Sequence, residues 1–353
     1  MRIPVFIPSS VHGSTKVSVI IAARNEENNI GNILQDLLAQ TYPPELFRIV
    51  VVNDFSEDRT ASVVEQLHNQ RISLLHLKNY LPDKSIITSF KKKALEYGIE
   101  ESSGELIITT DADCRLNQEW LKTIVGFYES KHCHMIVAPV AFTDRTGLLQ
   151  RFQSLELIGL IGITGATLQW NIPTICNGAN LAFKKESFYQ VGGYHSIDHA
   201  SSGDDVLLMH KIAKLRSKDI LFLKNKDAIC YTIPQDGLIS FLNQRIRWAS
   251  KFKYYDIWYI NITQGIVFVF YLLLMVNLFL SFFEDRFFYL FLMPLLLKII
   301  SEFIFYCGVN KFFKHQKLLS LFLPAQLLHP LYVVISGVGS LFYKPKWKGR
   351  KIS

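Results

Sequence analysis

The chain has 353 residues and a formal net charge of +8 at neutral pH, a length too great for one minimal domain and sufficient for a catalytic domain with an appendage. Its pI near 9.1 would suit nucleic acid or an anionic membrane leaflet, and a strongly hydrophobic C-terminal third excludes nucleic acid in favour of the leaflet. Five cysteines, Cys114, Cys133, Cys176, Cys230 and Cys307, show no CxxC spacing, which excludes a zinc knuckle and a disulfide framework and suits a reducing, cytosol-facing catalytic part. Met1 to Lys16 carries Pro4 and Pro8 without a long apolar core, so it reads neither as a signal peptide nor as a spanning helix.

In chain order, Val17 to Ala22 is an apolar, β-branched run, expected for a strand buried on both faces of a parallel sheet. The polar turn Arg24-Asn25-Glu26-Glu27-Asn28 opens a helix through Gln40. Arg48 to Val52 is the next strand, ending in Asn53-Asp54-Phe55-Ser56, and Asp58 to Asn69 reads as a helix. Ser89 to Glu101 gives a third helix, Gly104 a turn and Leu106 to Thr110 a third strand. Such alternation predicts a parallel α/β sheet, whose ligands sit beyond the carboxyl ends of the strands. Asp54 and the pair Asp111 and Asp113 fall at those ends.

Asp111-Ala112-Asp113 places two carboxylates where both can reach one hard divalent cation. Taken alone, the tripeptide fits equally a turn leading into a helix at Gln118-Glu119-Trp120, and Asp54 fits an N-cap. Leu155 to Trp170 is too apolar and Gly-rich for an ordinary surface helix, and Asn177-Gly178-Ala179-Asn180 follows it. Gly193-Tyr194 through Ser202 reads as a loop into Gly203-Asp204-Asp205, with a helix over Val206 to Leu215. On its own, that acidic pair reads as a helix cap. Gln244, Arg247, Trp248 and Lys251 share one helical face, with Leu238, Phe241, Leu242 and Phe252 apolar, as in an amphipathic anchor lying at headgroup level.

Ile262 to Phe283 is apolar for about 22 residues, enough to cross a hydrocarbon core of roughly 30 Å at about 1.5 Å per residue. Glu284-Asp285-Arg286 is a turn, and Phe287 to Val309 can return, with Lys298 and Glu302 spaced to pair inside the membrane. Lys311, Lys314 and Lys317 form a basic loop expected on the cytoplasmic side. A third stretch, Leu318 to Tyr343, is interrupted by Pro324, Gln326, His329 and Pro330. Full crossing by it would place the basic tail Lys344, Lys346, Lys348, Arg350 and Lys351 outside, so a re-entrant or kinked element is expected.

Seven segments in fixed order resemble the family 2 glycosyltransferases of the GT-A fold, in the membrane-bound branch of cellulose, chitin and hyaluronan synthases and lipid glycosyltransferases. They are Val17 to Glu27, Val51 to Ser56, Lys91 to Leu95, Asp111 to Asp113, Asn177 to Asn180, Gly203 to Asp205 and Gln244 to Trp248. The resemblance implies an α/β fold: a GT-A nucleotide-sugar-binding domain with a mostly parallel sheet, then an interfacial helix and C-terminal transmembrane helices. It divides the chain into an N-terminal tail (1–16), a nucleotide-sugar half (17–135), an acceptor and catalytic-base half (136–235), an interfacial helix (236–258), a membrane region (262–343) and a basic tail (344–353).

Carried over residue by residue, the resemblance implies that Ala23 and Glu26 border the base and that Asp54 bonds it, uracil being expected. Lys91 and Arg247 would face the diphosphate, with Asp111 on ribose or metal and Asp113 as the ligand of a divalent cation, Mg or Mn. At least two of Lys91, Lys92 and Lys93 are expected on a solvated helix face. Asn177, Gly178, Gln244 and Trp248 would border the acceptor, and Asp205, with its acidic neighbour Asp204, would be the general base. Asn53 departs from the aspartate common there. The function implied is inverting transfer of a sugar from a nucleotide sugar to a membrane-held lipid or glycan, in a multi-pass protein with a cytoplasmic catalytic domain. A processive polysaccharide synthase needing an oligomer or partner is the alternative.

Overall fold

The computed structural model describes residues 3–8, 14–81, 89–144, 146–200, 202–343, 346–348 and 350–351. Met1 of the predicted N-terminal tail, and Lys344 and Gly349 of the predicted basic tail, lie outside the described residues. The chain separates into two compact units, Met1–Thr143 with Ile161–Ile233, and Asp144–Leu160 with Pro234–Ile352.

The first unit opens β1 (Val17–Ala23), α1 (Ile30–Leu38), β2 (Phe47–Asn53), α2 (Thr60–Glu65), β3 (Ile72–His76), α3 (Leu77–Tyr80), α4 (Phe90–Glu100), β4 (Leu106–Thr109) and β5 (Arg115–Leu116). It continues through α5 (Trp120–Lys131), β6 (Met135–Val137) and β7 (Val140–Phe142). After α6 (Leu148–Gln169) come β8 (Leu181–Lys184), α7 (Lys185–Gln190), α8 (Asp204–Arg216), β9 (Ile220–Phe222) and β10 (Cys230–Thr232). Seven strands form one sheet in the order β3-β2-β1-β4-β8-β6-β9, and β5, β10 and β7 form a smaller one. Only β8 opposes its neighbours in the large sheet, being antiparallel to both β4 and β6. The sheet is therefore mostly parallel, as expected.

Val19, Ile20 and Ile21 of β1 have no exposed surface, as a parallel strand covered on both faces requires. Ala23 lies opposite Asn53, and Thr109 opposite Ile20, so β1, β2 and β4 end near one level. The polar residues that follow each strand are thereby gathered along one edge. Helix α2 is shorter than the Asp58 to Asn69 helix read from sequence. Its start is held by Asp58, whose Oδ1 accepts from the backbone N and Oγ1 of Thr60, a local bond that competes with helical extension.

The second unit contains α9 (Leu238–Ala249), α10 (Trp258–Leu280), α11 (Asp285–Phe313) and α12 (Phe322–Phe342). Among the described residues, three helical stretches, Trp258–Leu280, Asp285–Phe313 and Gln316–Phe342, are long and apolar enough to cross a membrane. Their outward faces expose Ile266, Phe279, Leu297 and Leu327. Inside, Tyr271, Leu274, Phe291 and Leu295 form a common core. Along α12, Phe322 packs on Phe303 and Tyr306 of α11, and His329 on Tyr271 of α10. Further on, Gly337 lies against Phe268 and Gly339 against Ile246 of α9. Helix α12 thus packs on α11 at its start, on α10 at its middle and on α9 near its end, and Pro330 lies within it.

Candidate active site

At the edge formed by β1 and β2, the Asp54 backbone N donates to Ala23 O at 2.8 Å, and Asp54 is 1% exposed. Arg24, also buried, donates to the carbonyls of Asp54 and Phe55 and to Glu57 at 3.1 Å, pinning the turn after β2 onto the turn after β1. Asn53, where an aspartate was the commoner expectation, accepts from the Ser56 backbone and lies 3.2 Å from His76. Its side chain thus shapes this turn. The Glu26 backbone donates to Thr60, and the Glu26 carboxylate accepts from Asn29 at 2.8 Å.

Lys91, at the start of α4, gathers acidic residues from two distant segments. Its Nζ donates to Asp111 Oδ1 at 2.8 Å and lies 3.4 Å from Asp204 Oδ2. Burial would lower the ammonium pKa, but the charges of Asp111 and Asp204, with Asp205 behind them, more than offset it and hold the pKa above its ordinary value. Lys91 therefore stays cationic throughout the physiological range. Asp113 accepts from Thr232 Oγ1 at 3.2 Å, tying it to β10.

Asp204 and Asp205 begin α8 after Gly203, whose φ of +84° is the left-handed conformation that disfavours side chains. Asp205 Oδ2 accepts from the Gly178 backbone N at 3.0 Å. A Cβ on Gly178 would come 3.2 Å from Asp204 Oδ2 and 3.4 Å from Asp205 Cβ, close enough that a side chain there would press on the Asp204 carboxylate. Gly178 is fixed from behind, its carbonyl accepting from Thr109 Oγ1 at the end of β4. Asn177 caps the same turn by accepting from the Ala179 backbone N. Asp111, Lys91, Asp204, Asp205 and Gly178 are therefore brought together by side-chain and backbone bonds, as a cation among three carboxylates. Among the described residues, no three His, Cys, Asp or Glu side chains form a ready cation cage.

The expectation that at least two of the three lysines lie on a solvated face is corrected. Lys93, paired with Glu96, is partly exposed, Lys91 is partly exposed but turned to carboxylates, and Lys92 is buried. Lys92 is 1% exposed and donates to Ile197 O at 2.6 Å, Ala200 O and Ser202 O at 3.1 Å. From α8, Lys211 binds the carbonyls of Gly193 and His195 at 2.6 and 2.7 Å. The two ammoniums hold the segment that delivers Asp204 and Asp205. Sequence reasoning missed both, although Lys92 shares a helical face with buried Leu95 and Ile99, a periodic signal that was available. It also missed the structural role of Asn180, which joins Trp120, Pro139 and Ala228 through buried bonds.

In the second unit, Gln244, Arg247 and Trp248 lie on α9 as the spacing predicts. Lys251 falls beyond that helix in the turn Ser250–Tyr254. Phe241 is buried, whereas Leu238 and Phe252 are exposed, so only part of the expected apolar face is packed.

A model of the glycosyl transferase family group 2 matches residues 106–308, and the model of glycosyl transferase family 2 matches residues 18–192. The chain belongs to the family 2 glycosyltransferases. It is 26% identical to the probable glycosyltransferase YdaM of Bacillus subtilis over 242 residues, covering 68% of this chain and 56% of that protein. It is also 26% identical to a poly-beta-1,6-N-acetyl-D-glucosamine synthase of Staphylococcus aureus over 238 residues, covering 66% and 54% respectively. The chain thus spans about half the length of these curated relatives. Among solved structures, the mannosyltransferase PcManGT from Pyrobaculum calidifontis, in complex with GDP-Man and Mn2+, is similar at a TM-score of 0.57 and 18% identity, over 94% of this chain and 89% of that one. That likeness establishes a GT-A fold for this glycosyltransferase.

Proposed function

We propose that the chain transfers a sugar from a UDP-linked nucleotide sugar to a lipid acceptor held at a membrane, in one inverting displacement. The observation that carries this reading is Lys91, fixed between Asp111 and Asp204 beside Asp205. A leaving diphosphate needs such a cation, and an attacking hydroxyl needs such a carboxylate. In this reading Ala23, Glu26 and Asp54 receive the base, and Lys91 and Arg247 the diphosphate. Asn177, Gly178, Gln244 and Trp248 border the acceptor. Asp205, oriented by the Gly178 backbone N–H, removes the acceptor proton, with Asp204 beside it. The functional division near residues 135 and 235, with 236–258 interfacial, belongs to the same proposal.

Asp111 and Asp113 would hold a divalent cation, Mg or Mn. Two carboxylates suit such an ion when diphosphate oxygens complete its shell. When bound, it supplies charge neutralisation at the leaving group.

For location, we propose a multi-pass membrane protein with its catalytic unit on the cytoplasmic side. The apolar helices and the basic loop Lys311, Lys314 and Lys317 support this. Pro330 inside α12 supports a kinked third element.

The test is incorporation of label from a panel of nucleotide sugars into membranes carrying the protein, with Asp205→Asn as blank and products split into extractable lipid and long polymer. Label in lipid supports the proposal. The similarity to a polysaccharide synthase favours a second reading, processive synthesis with an oligomer or partner, and label in polymer would select it.

A further inference from the structure

Arg245 sits inside the Gln244 to Trp248 segment but was given no role. It is 4% exposed, and its partner Glu156 on α6 is 8% exposed. Arg245 Nε donates to both carboxylate oxygens of Glu156 at 3.0 Å, and Nη2 donates to Oε2. Tyr332 of α12 donates its hydroxyl to the same carboxylate. The guanidinium carbon lies 4.5 Å from the Phe241 ring centroid and 4.2 Å from that of Trp248. Its remaining branch, Nη1, donates to Gln244 Oε1.

A buried ion pair is weak evidence for stability, because an apolar pair of similar volume often serves as well. A planar group that chelates a carboxylate, stacks on an indole and donates to an amide at once does what no apolar pair can. Arginine carries donors only, so Gln244 must turn its oxygen toward Arg245 and its NH2 away. One face of Trp248 is likewise committed to the guanidinium.

We propose that Arg245 is a positioning residue: clamped by Glu156 and Tyr332, it presents the Gln244 NH2 and the second face of Trp248 to the acceptor. This rests on the acceptor roles given above to Gln244 and Trp248. Three stretches of the second unit, the part of α6 before Ile161, α9 and α12, converge on this clamp, so the third apolar helix contributes to acceptor use through Tyr332.

The test uses the purified full chain in lipid nanodiscs. Labelled UDP-GlcNAc, UDP-glucose and GDP-mannose are compared as donors, total membrane lipid serves as acceptor, and thermal unfolding is measured in parallel. The double variant Arg245→Met/Glu156→Leu should keep its Tm, keep the donor KM within about twofold, and raise the acceptor KM on the order of 10- to 100-fold. Arg245→Lys should not rescue, because an ammonium cannot chelate and stack together, and Tyr332→Phe should show a smaller shift in the same direction. A double variant with the parent acceptor KM, alongside an impaired Trp248→Ala, would overturn the positioning role alone. Trp248→Ala with parental acceptor use would overturn the acceptor reading and this proposal with it.

Discussion

In the first unit one ammonium, Lys91, faces Asp111, Asp204 and Asp205, and the side chains of Lys91 and Asp111 remain 24% and 36% exposed. In the second unit charges meet one to one: Arg245 with Glu156, and Lys298 with Glu302 at 2.8 Å, with the Arg245 and Lys298 side chains 4% and 5% exposed. In the first, one ammonium answers to three carboxylates and part of the cluster stays open to solvent. In the second each cation has its own carboxylate; the Arg245–Glu156 pair is buried on both sides, whereas the Glu302 side chain is 32% exposed. A part-open cluster shared among several carboxylates suits chemistry on a charged ligand, whereas one-to-one pairs set helix geometry.

The largest effect that would break this contrast is at Asp205. Asp205→Asn should lower transfer by about 10²- to 10⁴-fold while donor affinity changes by only a few fold, measured by turnover and calorimetry. Turnover near the parent level would remove the base assignment. Asp113→Ala should weaken both metal and donor binding by roughly tenfold or more, read from Mn titrations with and without nucleotide sugar. Donor affinity that ignores the substitution would place the cation elsewhere.

Lys92→Met should cost about 3 kcal/mol, because charge-assisted bonds to three carbonyls, that of Ala200 buried, are lost, and should lower turnover with stability. Unchanged chemical denaturation would show that the segment before Gly203 is held by other means. In the second unit, Lys298→Leu alone should destabilise by roughly 3–5 kcal/mol, and Lys298→Leu/Glu302→Leu should recover most of that. Failure of the double variant to recover would mean that Gln326, bonded to both residues, carries the structure.

The smallest effect concerns His210, whose Nε2 lies 3.1 Å from Thr174 O. Burial holds its imidazole down at about 4, below the ordinary value of about 6.5. As pH falls from about 6.5 toward 4, the unfolded chain binds a proton that the folded chain refuses, so stability is lost across that window. His210→Gln should flatten it in pH-dependent unfolding, and an unchanged profile would assign the acid sensitivity to other groups.

The parallel sheet was legible because buried strands read as apolar, β-branched runs, and the acidic strand ends followed directly from their boundaries. The Lys298 and Glu302 pair was equally legible, since four residues make one helical turn. The spanning stretches followed from length and apolarity. Other contacts needed the folded chain: Lys92 reaches Ile197 across 105 residues, Arg245 reaches Glu156 across 89, and Tyr332 reaches Glu156 across 176. Sequence spacing reports neighbours within one helix or strand, because those periods are fixed by backbone geometry. Which distant carboxylate or carbonyl satisfies a buried cation is decided only when sheet and helices close around it, since the cost of leaving that charge unpaired appears only once water has been excluded.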